Sequence, residues 1–174
     1  MKPWRAEQYR MAGLAVIVFA IDQWTKYWIV SNFDLHASLR LIPGFFNLTH
    51  IINSGAAWGL FRRHPDSLKA LAGITVTALI LFAPYFQGGR GWTRWGWALL
   101  VGGIAGNLAD RIRIGSVIDF LDFYAGSMHW PAFNVADSAI CAGVICYIID
   151  SFLKKPALAA NDPQQPASDK LCGS

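Results

Sequence analysis

Two carboxylates stand where a charge needs a reason. Asp119 interrupts the apolar run Val117-Ile118-Asp119-Phe120, and Asp137 falls about one turn into an apolar segment that opens at Phe133. Two carboxyl groups held close together cannot both ionise readily, so they share a proton and titrate as a pair. One member can then draw a proton from water while the other polarises a carbonyl, as in aspartic hydrolases. Asp137 sits near a helix N-terminus, whose dipole favours an anion, so it is expected to be the more ionised of the two. A structural alternative stays open, in which Asp119 caps a turn and Asp137 satisfies free amides of the first helical turn. Asp122 lies an odd number of residues from Asp119 and therefore on the other face of a strand.

Other polar side chains crowd the same ends of apolar segments. Asp22 and Lys26 are spaced i, i+4, within ion-pairing reach on one helix face, and either neutralise each other at an interface or take part in the chemistry. Asn107, Asp110 and Arg111 share a face, and the planar fork of Arg111 suits a carboxylate or carbonyl. Asp110 pairs either with Arg111 or with another helix. Asn134 and Asp137 open the last segment. His36, His50, His64 and His129 are scattered without ligand spacing and read as solvated or interfacial. Cys141 and Cys146 point to different faces of one segment and read as apolar packing, with Cys172 in a tail; no metal site, disulfide framework or cofactor is expected.

The elements that must position these groups are apolar helices. The chain of 174 residues is 54% hydrophobic, with positive mean hydropathy. Ala12–Val30, Leu68–Phe86, Trp95–Ile114 and Phe133–Leu153 are each about 19–21 residues, enough to cross the hydrocarbon core as helices. The first resembles a secretory signal, but no small-residue cleavage site follows, so it is expected to be retained. Basic residues before the first segment, in the short second connection and after the fourth put both termini in the cytoplasm and the polar cluster outside. The formal charge of +4 is accounted for by this anchoring, so no nucleic-acid partner is expected. Trp24, Trp28 and Trp130 suit the outer interface; Trp4, Trp92 and Trp95 suit the inner one. Gly102 and Gly106, with Ala139 and Gly143, suit close helix packing. Leu39–Ile42, Phe46–Ile52 and Ser116–Phe123 are rich in strand formers, with turn signals at Pro43-Gly44 and Asn53-Ser54-Gly55. The expectation is an all-α membrane protein: four transmembrane helices and a small extracytoplasmic β-cradle over residues 1–155, then a disordered cytoplasmic tail at 156–174.

Five motifs, in order, resemble the lipoprotein signal peptidase (signal peptidase II) family over roughly residues 10–153. They are Asp22-Gln23-Trp24-Thr25-Lys26, Asn53-Ser54-Gly55-Ala56-Ala57-Trp58, Gly106-Asn107-Leu108-Ala109-Asp110-Arg111, Val117-Ile118-Asp119-Phe120 and Phe133-Asn134-Val135-Ala136-Asp137-Ser138. The resemblance implies a metal-free aspartic endopeptidase of the bacterial cytoplasmic (inner) membrane. It would cut prolipoproteins just before a diacylglyceryl-modified cysteine. It further implies Asp119 and Asp137 as the catalytic dyad, and Asn53, Asn107, Arg111 and Asn134 as contacts for substrate or a globomycin-type inhibitor. Asp22, Lys26, Gly55, Asp110 and Ala136 would support the site.

Three other classes compete. A transporter or proton relay would use intramembrane carboxylates, but the polar groups gather at one face and leave no route inward. A lipid headgroup transferase would bind Mg²⁺ through Asp110, Asp119, Asp122 and Asp137 and lose activity with a chelator. A membrane scaffold would tolerate loss of either Asp119 or Asp137.

Overall fold

The computed structural model describes residues 3–55, 65–87 and 91–153. The Ala56-Ala57-Trp58 half of the loop motif, His64, Cys172 and the tail at 156–174 lie outside them. The chain is an α-helical membrane protein with a small β-sheet region. In order it forms α1 (Pro3–Asn32), β1 (Ser38–Ile42), β2 (Phe46–Asn53), α2 (Pro65–Leu81), α3 (Ala83–Gln87), α4 (Gly91–Ile114), β3 (Val117–Ala125), β4 (Met128–His129) and α5 (Val135–Leu153). Among the described residues, α5 is the helix both long and uniformly apolar enough to count as a span by composition alone. Helices α1 and α4 carry more charged residues, and α2 is only 17 residues long.

The second apolar segment is not one continuous helix as expected. Pro84 has no N–H to donate to the carbonyl four residues back, so the helix breaks at Phe82 and restarts as α3. At the end of α4, Gly115 adopts φ +75° and donates its N–H to Arg111 O at 3.1 Å, a left-handed cap that turns the chain straight into β3.

Helices α1, α4 and α5 pack closely because α4 presents glycine on two faces. Toward α1, a Cβ on Gly102 would stand 2.6 Å from Ala15 O. Toward α5, a Cβ on Gly103 would stand 2.6 Å from Ala136 O, and one on Gly96 would stand 2.9 Å from Gly143 O. The expected Gly102–Gly106 step is therefore half of the arrangement, and Gly96 with Gly103 supplies the rest.

The four strands form one antiparallel sheet in the order β1-β2-β3-β4. The three expected strands are present within a residue or two, and the two-residue β4 is an addition. Ile118 and Phe120 of β3 pack on Ile29, Phe33 and Val135, so the sheet rests on the ends of α1 and α5. A register shift in β2 between Leu48 and Ile51 pairs Ile51 with Asp119 and brings Asn53 beside Val117.

Candidate active site

β3 and α5 each deliver one carboxylate to a shared cavity of about 740 Å³, whose wall includes Asp119, Asp137, Asn53, Asn107 and Arg111. Asp119 stands within the strand and caps no turn. Its Oδ2 accepts from Asn53 Nδ2 at 2.9 Å and its Oδ1 accepts from Asn134 Nδ2 at 2.7 Å. Asn53 is itself held by a tight turn in which Gly55 N donates to Asn53 Oδ1 at 3.0 Å.

Asp137 does act at the helix start, and the carboxylate is shared between two tasks. Asp137 N donates to Asn134 Oδ1 at 2.9 Å, and Asn134 N donates to Asp137 Oδ2 at 3.3 Å, the reciprocal pattern of a capping box. The remaining oxygen, Oδ1, accepts from Asn107 Nδ2 at 2.7 Å. Asn134 therefore caps α5 and bridges to Asp119 with one side chain. It is fully buried behind the two carboxylates and is not part of the cavity wall.

Burial raises the Asp119 carboxyl to about 7; Asp137 adds to the rise, and the amide hydrogen bonds and Lys26 oppose it. Arg111 lies half-buried on the cavity wall, within electrostatic reach of Asp137, Asp119 and Asp110. It makes no ion pair among the described residues.

Beneath the cavity, α1 inserts a buried cation. Lys26 Nζ lies 2.9 Å from Asp22 Oδ2 and 2.8 Å from Asp110 Oδ2, all three side chains fully buried, and donates to Asn107 Oδ1 at 2.9 Å. Asp22 Oδ1 accepts from Ala136 N at 2.9 Å, and Asp110 Oδ2 accepts from Ile118 N at 3.3 Å. The Asp22–Lys26 pair thus ties α1, α4, β3 and α5 together rather than anchoring one helix at an interface. Asp110 turns to Arg113, 2.9 Å away at i, i+3, and not to Arg111, because adjacent helical positions do not face one another. Gln23, unassigned by sequence, donates to Gly106 O at 3.1 Å and to Asp22 Oδ2 at 3.1 Å.

The four carboxylates of the magnesium alternative do not converge. Asp110 is engaged by Lys26, and Asp122 lies on the other side of β3, where it accepts from Asn47 Nδ2 at 2.8 Å and pairs with His129 at 2.8 Å. His50, expected in solvent or at an interface, is buried with Nδ1 2.9 Å from Phe33 O. Cys141, expected to pack in apolar surroundings, is exposed on the cavity wall.

The model of the family described as signal peptidase (SPase) II matches residues 14–153. The chain belongs to the signal peptidase II family. The lipoprotein signal peptidase of Desulforapulum autotrophicum is 41% identical over 152 residues, covering 84% of this chain and 93% of the relative. That of Syntrophus aciditrophicus is 45% identical, covering 81% of this chain and 91% of the relative. A solved bacterial membrane enzyme superposes with a TM-score of 0.76 at 31% identity over 89% of this chain and 94% of that one. A second gives 0.69 at 34% identity over 83% and 93%. As a signal peptidase II, the chain is an aspartic-type hydrolase of a membrane.

Proposed function

We propose that Asp119 and Asp137 are the catalytic dyad and that the chain cleaves bacterial prolipoproteins immediately before their diacylglyceryl-modified cysteine. The observation that carries this reading is the meeting of two carboxylates from separate elements in one cavity, both bonded to Asn134, Asp119 by its side-chain amide and Asp137 by its backbone N–H. Family membership supports the substrate class, since the relatives bear the name lipoprotein signal peptidase.

In the resting enzyme Asp119 carries the shared proton and Asp137 is the carboxylate. Asp137 takes a proton from water as the water oxygen bonds to the scissile carbonyl carbon, and Asp119 gives its proton to the carbonyl oxygen. The resulting gem-diol collapses when Asp137 returns its proton to the leaving amine nitrogen. One diol hydroxyl then releases its proton to Asp119, the C–N bond breaks, and the starting state is restored. The step uses no metal or cofactor. Arg111, Asn53 and Asn107 line the path of the peptide and would meet its backbone or a globomycin-type inhibitor, whereas Asn134 holds the two carboxylates from behind. Asp22, Lys26, Asp110, Gly55 and Ala136 support that arrangement.

The same reading gives the chain four transmembrane helices, α1, the α2–α3 unit, α4 and α5. The β-sheet forms an extracytoplasmic cradle, and both termini face the cytoplasm of a bacterial inner membrane. Residues 1–155 form the peptidase domain. The lipidated cysteine then presents its scissile bond at the lipid–water boundary where the dyad lies. The test is conversion of a diacylglyceryl-modified propeptide by the full chain in lipid. Asp119→Asn and Asp137→Asn should each retain a cooperative thermal transition and lose at least about 1,000-fold in kcat. Near-normal turnover by either variant would overturn the dyad.

A further inference from the structure

Lys26 is an expensive residue to place where it lies. An ammonium removed from water needs partners for all three hydrogens, and here the three acceptors are Asp22, Asp110 and Asn107. Two carboxylates already more than balance its charge. The third partner is a neutral amide whose other end holds the dyad.

That amide has a direction. The ammonium only donates, so it takes Asn107 Oδ1, and Asn134 Nδ2 donates to the same oxygen at 3.1 Å. Asn107 Nδ2 is consequently left facing Asp137 Oδ1 at 2.7 Å. The flipped amide would set Nδ2 against the ammonium and its oxygen against the carboxylate, two repulsive contacts replacing two attractive ones.

We propose that Lys26 is a positioning residue for Asp137: it locks the Asn107 carboxamide so that the N–H points at the carboxylate that must take the proton from water. The inference rests on the dyad reading and adds a cause for the division of roles within it. Charged groups around Asp137 are Lys26 and Asp22 from α1, Arg111 from α4 and Asp119 from β3, and β2 contributes the neutral Asn53. Lys26 reaches the Asp137 carboxylate itself through one directional side-chain amide, that of Asn107. Neutralising it removes the stronger, charged donor of the two that hold Asn107 Oδ1, and with it a nearby positive charge.

The experiment is a double-substitution cycle in the full-length enzyme, read by turnover of a diacylglyceryl-modified propeptide and by thermal melting. Lys26→Gln should lower kcat about 10- to 100-fold, the range for a group that orients a reacting one. KM should stay within about twofold, because the ground-state contacts with substrate remain. The acid limb of the kcat profile should move to higher pH. In an Asn107→Ala background, Lys26→Gln should cost little further kcat, while its loss of melting temperature persists. Additive losses of kcat, or a fall in kcat with an unmoved acid limb, would reduce Lys26 to a structural counter-ion. If Lys26→Gln alone fails to fold, Lys26→Gln with Asp110→Asn keeps the net buried charge unchanged and carries the same comparison. Full turnover by Lys26→Gln beside an inactive Asp137→Asn would sink the positioning role and leave the dyad standing. An active Asp137→Asn would sink the dyad itself.

Discussion

A carboxyl group raised to about 7 by burial and by a neighbouring carboxylate makes both stability and activity fall as pH rises, in successive windows, at Asp119. From its ordinary value of 3.8 up to about 7, the folded chain binds the Asp119 proton more tightly than the unfolded chain does. Its contribution to stability is therefore complete in acid, declines as pH rises through that window, and is flat above it. Asp119→Asn should remove this slope. The variant should be more stable than the parent at pH 8, by up to about 4 kcal/mol, and match it near pH 4. Melting curves at several pH values decide the point, and parallel slopes for both proteins would show that Asp119 ionises as an ordinary surface acid. Turnover by the parent should fall as pH rises past 7, where the acid loses its proton. Asp119 was legible in the sequence because a charge inside an apolar strand run stands out. The double duty of Asn134 was not, because an asparagine at a helix start reads as a cap and nothing local says that its amide also reaches β3.

Close packing by glycine sets the geometry that brings those residues together. Gly106 faces Asp22 of α1 and Ala136 of α5, and an added Cβ would overlap the Asp22 carboxylate. That carboxylate accepts from Ala136 N and pairs with Lys26, so it has no free direction in which to retreat. Gly106→Ala should cost about 1–3 kcal/mol of stability, and kcat should fall with it because the α1–α5 tie displaces the site. Gly73→Ala in α2, where an added Cβ meets nothing within 4 Å, should be neutral or slightly stabilising. Equal melting temperatures for Gly106→Ala and the parent would disprove the account. Helix positions were legible from the length of apolar runs, and β1 to β3 from their β-branched and aromatic content. The break at Phe82 is masked by the apolar run that continues through it, although Pro84 marks the place. β4 was not legible at all, since two residues joined to β3 by a tight turn carry no periodicity. The second glycine face of α4 is not legible in the sequence, because Gly96 and Gly103 lack the G-x-x-x-G spacing that marks Gly102 and Gly106.

At the scale of the whole molecule, every buried ionic group described at the site lies toward one end of the helices. Asp22 and Lys26 stand late in α1, Asp110 late in α4 and Asp137 at the start of α5, and the sheet covers that end. The opposite end carries basic residues at the start of α1 and α4, among them Arg10 and Arg94, the latter paired with Glu7. Basic residues are retained on the cytoplasmic side of membrane helices, which supports the proposed topology with the sheet end outside and the start of α1 inside. The arrangement predicts which positions meet an impermeant thiol reagent on intact cells. With Cys141, Cys146 and Cys172 replaced by serine, Met128→Cys on β4 should label from outside, since that side chain is 79% exposed. Tyr9→Cys near the start of α1, 67% exposed, should label only after the membrane is opened. Labelling of Tyr9→Cys in intact cells with Met128→Cys protected would invert the topology and put the proposed dyad on the cytoplasmic side. The same result would remove the reason for a polar cluster so far from the basic end, because the scissile bond and the cavity that holds it must share one face of the bilayer.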